Sequence, residues 1–123
     1  MKKSILLTVT LLLFIPILFA KYTQTCKVKY RNNYSWSKYY TVDVTFLSGH
    51  ELNKATKSFD YDTYNTYAVI FWDDDEASVI KVDSYTGCGT EVKQSCITNK
   101  VMNLEGEDQQ GVKWELCTKS YCY

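Results

Sequence analysis

His50 and Glu51 are the neighbours in this 123-residue chain best suited to moving a proton, and His50 is its one histidine. Imidazole titrates near neutrality, and a nearby carboxylate can tune it. Adjacent residues on a helix, however, point about 100° apart and do not face each other. No G-x-S-x-G segment and no Cys/His thiol-protease signature supplies a nucleophile. His50 therefore reads as an exposed residue in the first turn of a helix. An exported hydrolase using His50 and Glu51 remains the rival function, and no catalytic residue is assigned.

Carboxylates offer a second chemistry. Asp73-Asp74-Asp75-Glu76, and Asp60 and Asp62 with Asn65, could gather oxygens around a calcium ion. The spacing lacks the turn glycine and distal glutamate of an EF-hand loop. Four acids at a hairpin tip also discourage edge-to-edge pairing. The run is read as a solvated turn, and no metal or cofactor is assigned.

Aromatic residues are the third resource. Eleven Tyr against five Phe is a heavy bias, and tyrosine joins a flat apolar face to a polar end, which suits it to sugars and protein interfaces. Tyr39 falls on the polar parity of its strand, and Tyr61, Tyr64 and Tyr67 recur at three-residue intervals in or beside a loop. Tyr34, Tyr39, Tyr61 and Tyr64 are the expected binding residues. The plainer alternative is that tyrosine serves here as a strand former.

Five cysteines, Cys26, Cys88, Cys96, Cys117 and Cys122, leave one over after two bridges. Gly87 and Gly89 allow a tight reversal that pairs Cys88 with Cys96. Cys26 is expected with Cys122. Cys117 is the odd residue, either buried and inert or linking two copies covalently. C-x-x-C spacing is absent, which removes the redox motif, and a single His beside these Cys spacings makes a poor zinc site.

Positioning these residues requires strands. Cys26, Val28 and Tyr30 alternate with Lys27 and Lys29, a period of two with one face wet. From Tyr34 to Leu47 the even positions are mostly apolar and the odd ones mostly polar. Ser48-Gly49-His50-Glu51 fits a capping box, with Leu52, Ala55 and Phe59 following at helical spacing, so a short helix is expected over 49–57. Tyr67–Trp72 is apolar on both parities and should be central, with its outer face covered by the helix or a loop. Asp73–Glu76 turns into a strand over Ala77–Val82, a further strand is expected over Thr90–Ile97, a long loop over Thr98–Gly111, and a last strand from Val112 to Cys117. The expected fold class is mainly β: a single antiparallel sheet or small barrel with one short helix, stapled by disulfides.

Residues 1–20 have the layout of a secretory signal: basic Lys2-Lys3, an apolar run from Ile5 to Phe19, and small Ala20 before Lys21. That run is too short for a permanent span. One β-rich domain over 21–123 is expected outside the cytosol, secreted or periplasmic, with no stable membrane span. Losing Lys2 and Lys3 from a balanced 14 basic and 14 acidic residues leaves about −2, which gives no footprint for nucleic acid. The expected function is non-catalytic binding of a protein or glycan through a Tyr/Trp-rich surface. A structural envelope protein is the third reading.

Overall fold

The alternation around Cys26 extends in both directions, giving strand β1 over Tyr22–Asn32 in the computed structural model. The structure describes residues 22–73, 75–83, 88–98 and 103–118. The expected signal over 1–20, Asp74 and Cys122 lie outside the described residues.

After a turn at Asn33 and Tyr34 come β2 (Ser35–Trp36) and β3 (Tyr40–Ser48). The single strand expected over Tyr34–Leu47 is therefore broken at 37–39. There Ser37 donates its N–H to the Tyr30 carbonyl at 2.8 Å, while its hydroxyl accepts the Tyr30 N–H at 3.0 Å. Helix α1 (Gly49–Thr56) starts on the capping box read from the sequence. The Ser48 hydroxyl accepts the Glu51 N–H at 3.0 Å, and a Glu51 carboxylate oxygen accepts the Ser48 N–H at 2.9 Å. β4 (Thr66–Phe71), β5 (Ala77–Val82), α2 (Gln94–Thr98), β6 (Asn103–Asp108) and β7 (Lys113–Cys117) complete the order.

Neighbouring strands pair antiparallel in the order β2-β1-β3-β4-β5-β6-β7, and β7 returns to β1 with Lys27 opposite Cys117 and Tyr30 opposite Trp114. Six strands close a barrel and β2 adds one more. A barrel this narrow is filled by its own side chains. Val28, Val44, Phe46, Ala68, Ile70, Ile80, Val82, Leu104, Trp114 and Leu116 form the buried interior. Outside the wall, Leu52 and Ala55 of α1 pack on Leu47, Tyr67, Val69 and Val79. That second layer is why β4 is apolar on both parities.

Two expectations about the C-terminal half are corrected. Residues 90–97 form no strand: Thr90 to Lys93 is irregular and α2 follows. The segment crosses the end of the barrel where β3 finishes. The Ser48 hydroxyl donates to the Thr90 carbonyl at 2.7 Å, and Val92 and Ile97 are buried against the core. The loop expected over 98–111 contains β6, whose burial alternates strictly with Leu104, Gly106 and Asp108 inside. Two of those inward positions carry no apolar side chain, so the alternation is invisible to hydropathy. Gly106 is required there, because a β-carbon would collide with the Lys81 carbonyl oxygen.

Cys88 is bonded to Cys96, with Cα atoms 5.8 Å apart. Cys117 is also disulfide-bonded, and Cys26 is a buried free thiol. The expected pairing of Cys26 and the expected free Cys117 are thus both corrected. Cys26 points into the barrel, where its thiol donates to the Gln24 carbonyl at 3.6 Å. Among the described residues no helix is long and apolar enough to cross a membrane.

Candidate functional site at the turn end of the barrel

The two ends of the barrel differ. One carries the start of α1, the α1–β4 loop and the 88–98 segment. The other carries the β1–β2 turn and the β4–β5 and β6–β7 hairpins, and it is here called the turn end.

The β4–β5 and β6–β7 connections at the turn end each carry one left-handed residue shortly before the returning strand. In β6–β7 that residue is Gly111 at φ 82°, and in β4–β5 it is Asp75 at φ 63°. Asp108 fixes the first of these loops. One of its carboxylate oxygens accepts the N–H groups of Gln110 and Val112 at 2.8 and 3.0 Å. The other accepts the indole N–H of Trp114 at 3.0 Å.

Trp114 is fully buried and anchors a circuit of rings. Tyr30 lies 5.4 Å from it and 6.3 Å from Tyr40, Tyr40 stands edge-on to Trp72 at 6.5 Å, and Trp72 returns to Trp114 at 6.1 Å. Tyr30, Tyr40 and Trp72 are half-buried. Trp72 is held by its indole N–H donating to the Ser78 hydroxyl at 3.0 Å. Aromatic pairs at such separations each add about 0.5–1.5 kcal/mol beyond area burial. The end is therefore rigid, and it still leaves ring surface at its rim.

On the outer wall beside this circuit, Lys29 places its ammonium 5.2 Å from the Trp36 ring and 4.9 Å from the Tyr39 ring. Glu115, directly across β7, pairs with it at 3.4 Å. The Arg31 guanidinium lies 5.9 Å from Trp36, and the Lys38 ammonium 5.3 Å from Tyr40. Tyr34, in the turn above, is 93% exposed.

The four tyrosines expected to form one surface are divided between the ends. Tyr34 and Tyr39 belong to the turn end. Tyr61 and Tyr64 sit in the α1–β4 loop, which leaves from the opposite end. Tyr61 is half-buried, edge-on to Tyr67 at 5.3 Å, and burial with the neighbouring Asp60 charge pushes its phenol up. It borders a cleft of about 460 Å³ along β5 and β6, inside which Lys81 and Asp62 form an ion pair. Tyr64 is 66% exposed.

His50 is exposed on α1, whereas Glu51 is buried and committed to the Ser48 N–H and, at 3.4 Å, to the Val92 N–H. The two do not form an acid–base pair. The acidic run is split as well: Asp73 and Asp75 are exposed, but Glu76 is buried. Among the described residues no group of His, Cys, Asp and Glu is assembled to hold a metal ion.

Sequence reasoning passed over Trp36, Trp72 and Trp114, and over Lys29 and Arg31 as their companions. The usable signal was parity. Lys29 lies on the polar face of β1, and Tyr39 keeps the polar parity in the break before β3, where a ring and a cation come together once the strands pair. The chain matches no known protein family, no curated protein and no solved structure.

Proposed function

We propose that this chain is a small exported module that acts by non-catalytic binding, holding a protein or glycan partner on the aromatic surface at the turn end of its barrel. The observation that carries the reading is the corner of Trp36 and Tyr39 around Lys29, with exposed Tyr34 beside it. Large rings backed by a rigid wall give contact area at small entropic cost, and the ring–cation contacts hold them in position before any partner arrives. Export is supported by the basic, apolar and small-residue layout of residues 1–20 and by the oxidised Cys88–Cys96 pair, since such bonds persist outside reducing compartments.

The test uses the purified mature chain against a glycan array and a panel of exported proteins. Trp36→Ala and Tyr39→Ala should each weaken the best ligand at least about tenfold, a loss of about 1.4 kcal/mol. Tyr64→Ala, at the other end, should leave it unchanged. A ligand indifferent to Trp36 and Tyr39 overturns the reading. A chain retained in the envelope with no ligand at all points to the structural role instead. The mature N-terminus, read by mass spectrometry, should begin at Lys21.

A further inference from the structure

Inside the turn end lies a carboxylate that ring packing alone does not need. Glu76 is only 7% exposed, and its Oε1 is sealed from solvent with no hydrogen-bond donor among the described residues. Its backbone carbonyl accepts the Trp72 N–H at 2.7 Å, closing the β4–β5 hairpin one step beyond the Phe71–Ala77 pair. Residues opposite each other across a hairpin project to the same face. Trp72 packs against the barrel interior, and Ser78 and Ile80, on the same parity as Glu76, also point inward. Glu76 is therefore aimed into the mouth, beside the ring circuit.

A buried carboxylate without a partner is costly unless a positive charge meets it. Asp108, the other carboxylate turned inward at this end, is saturated by Trp114, Gln110 and Val112. Lys29, Lys81, Lys93 and Lys113 are paired with Glu115, Asp62, Glu91 and Glu107. Lys38, at the rim, lies over Tyr40. The mouth thus combines aromatic faces with a carboxylate oxygen that no described donor meets, the pairing that suits an ammonium group.

We propose that the turn end of the barrel is a recognition site for a ligand-borne ammonium, held on the faces of Tyr40 and Trp72 with Glu76 as its counter-ion. Lys38 over Tyr40 shows that this ring already accepts an ammonium from the chain itself. The ligand chemistry is shared by a small amine and by a lysine side chain on a protein. The inference rests on the turn end being the binding end, and it names what enters its centre.

The mature, disulfide-intact chain is titrated at constant ionic strength with n-butylammonium, tetramethylammonium, the neutral n-butanol and the tripeptide Gly-Lys-Gly, and tryptophan fluorescence is read. The cations should give a saturable change and butanol none. Glu76→Gln should weaken the cations at least tenfold without lowering the melting temperature, and Lys38→Gln should strengthen them. Tighter binding of the tripeptide than of butylammonium assigns the site to a protein lysine, and the reverse to a small amine. No saturable response, or one unchanged in Glu76→Gln, overturns the proposal. Trp36→Ala separates the two readings: it should weaken partner capture on the outer wall at least tenfold and leave the ammonium titration intact.

Discussion

Cys26 is the residue whose chemistry the fold changes most. Burial pushes its thiol from 9.0 up to about 12, with the charge of Asp43 adding to the shift. The native state then keeps a proton that the unfolded chain has already released, so stability is fully present below about pH 9 and is lost as pH rises toward 12. The slope approaches about 1.4 kcal/mol per pH unit. Tyr22, Tyr61 and Tyr67, whose phenols are also pushed up by burial, steepen the loss above their ordinary range. Urea midpoints measured from pH 7 to 11 should fall with this onset, and Cys26→Ala should flatten the earliest part of the curve. A disulfide reagent at pH 8 should find the native thiol almost inert and one thiol per chain after denaturation. The inert odd cysteine was foreseen by counting, but its identity was not. Position 26 carries the same strand alternation that marks β1, and that alternation buries the thiol.

At the scale of elements, the capping box is the join on which two distant segments meet. The Glu51 carboxylate serves the Ser48 N–H and the Val92 N–H, so it ties the start of α1 to the strap over the barrel end. Glu51→Ala should cost about 1–3 kcal/mol in urea denaturation, because two buried donors lose an acceptor. Glu51→Gln, which keeps a carbonyl oxygen, should cost less than half as much. Strands β1, β5 and β7 and helix α1 were legible because their periodicity is carried by apolar side chains, and β4 because its run is apolar on both faces. β6 was not, because Gly106 and Asp108 occupy inward positions for reasons of close approach and hydrogen bonding. The 90–97 segment misled in the opposite way: Val92 and Ile97 are buried by a strap lying across the barrel, a burial that owes nothing to strand pairing. The aromatic end was half legible. Tyr34, Tyr39, Tyr61 and Tyr64 read as one surface in the sequence, and only strand register shows that Tyr61 and Tyr64 leave from the other end.

For the molecule as a whole, the Cys88–Cys96 bridge closes a short loop of sequence separation 8. On the chain-entropy account such a loop is worth about 2.5 kcal/mol. The strap it braces contributes Val92 and Ile97 to the main interior. The double variant Cys88→Ser/Cys96→Ser should therefore melt lower by several degrees while keeping the β-sheet circular dichroism signal, because none of the barrel's pairings depends on the bridge. Collapse of that signal at room temperature would show that the strap, more than the closed sheet, holds the interior together.

Because β7 seals the cylinder against β1, β1 waits during biosynthesis for β7 to emerge. Until residues near 117 are released, one side of β1 stays unzipped, and a nascent chain stalled before Lys113 carries two raw borders that would catch on other polypeptides.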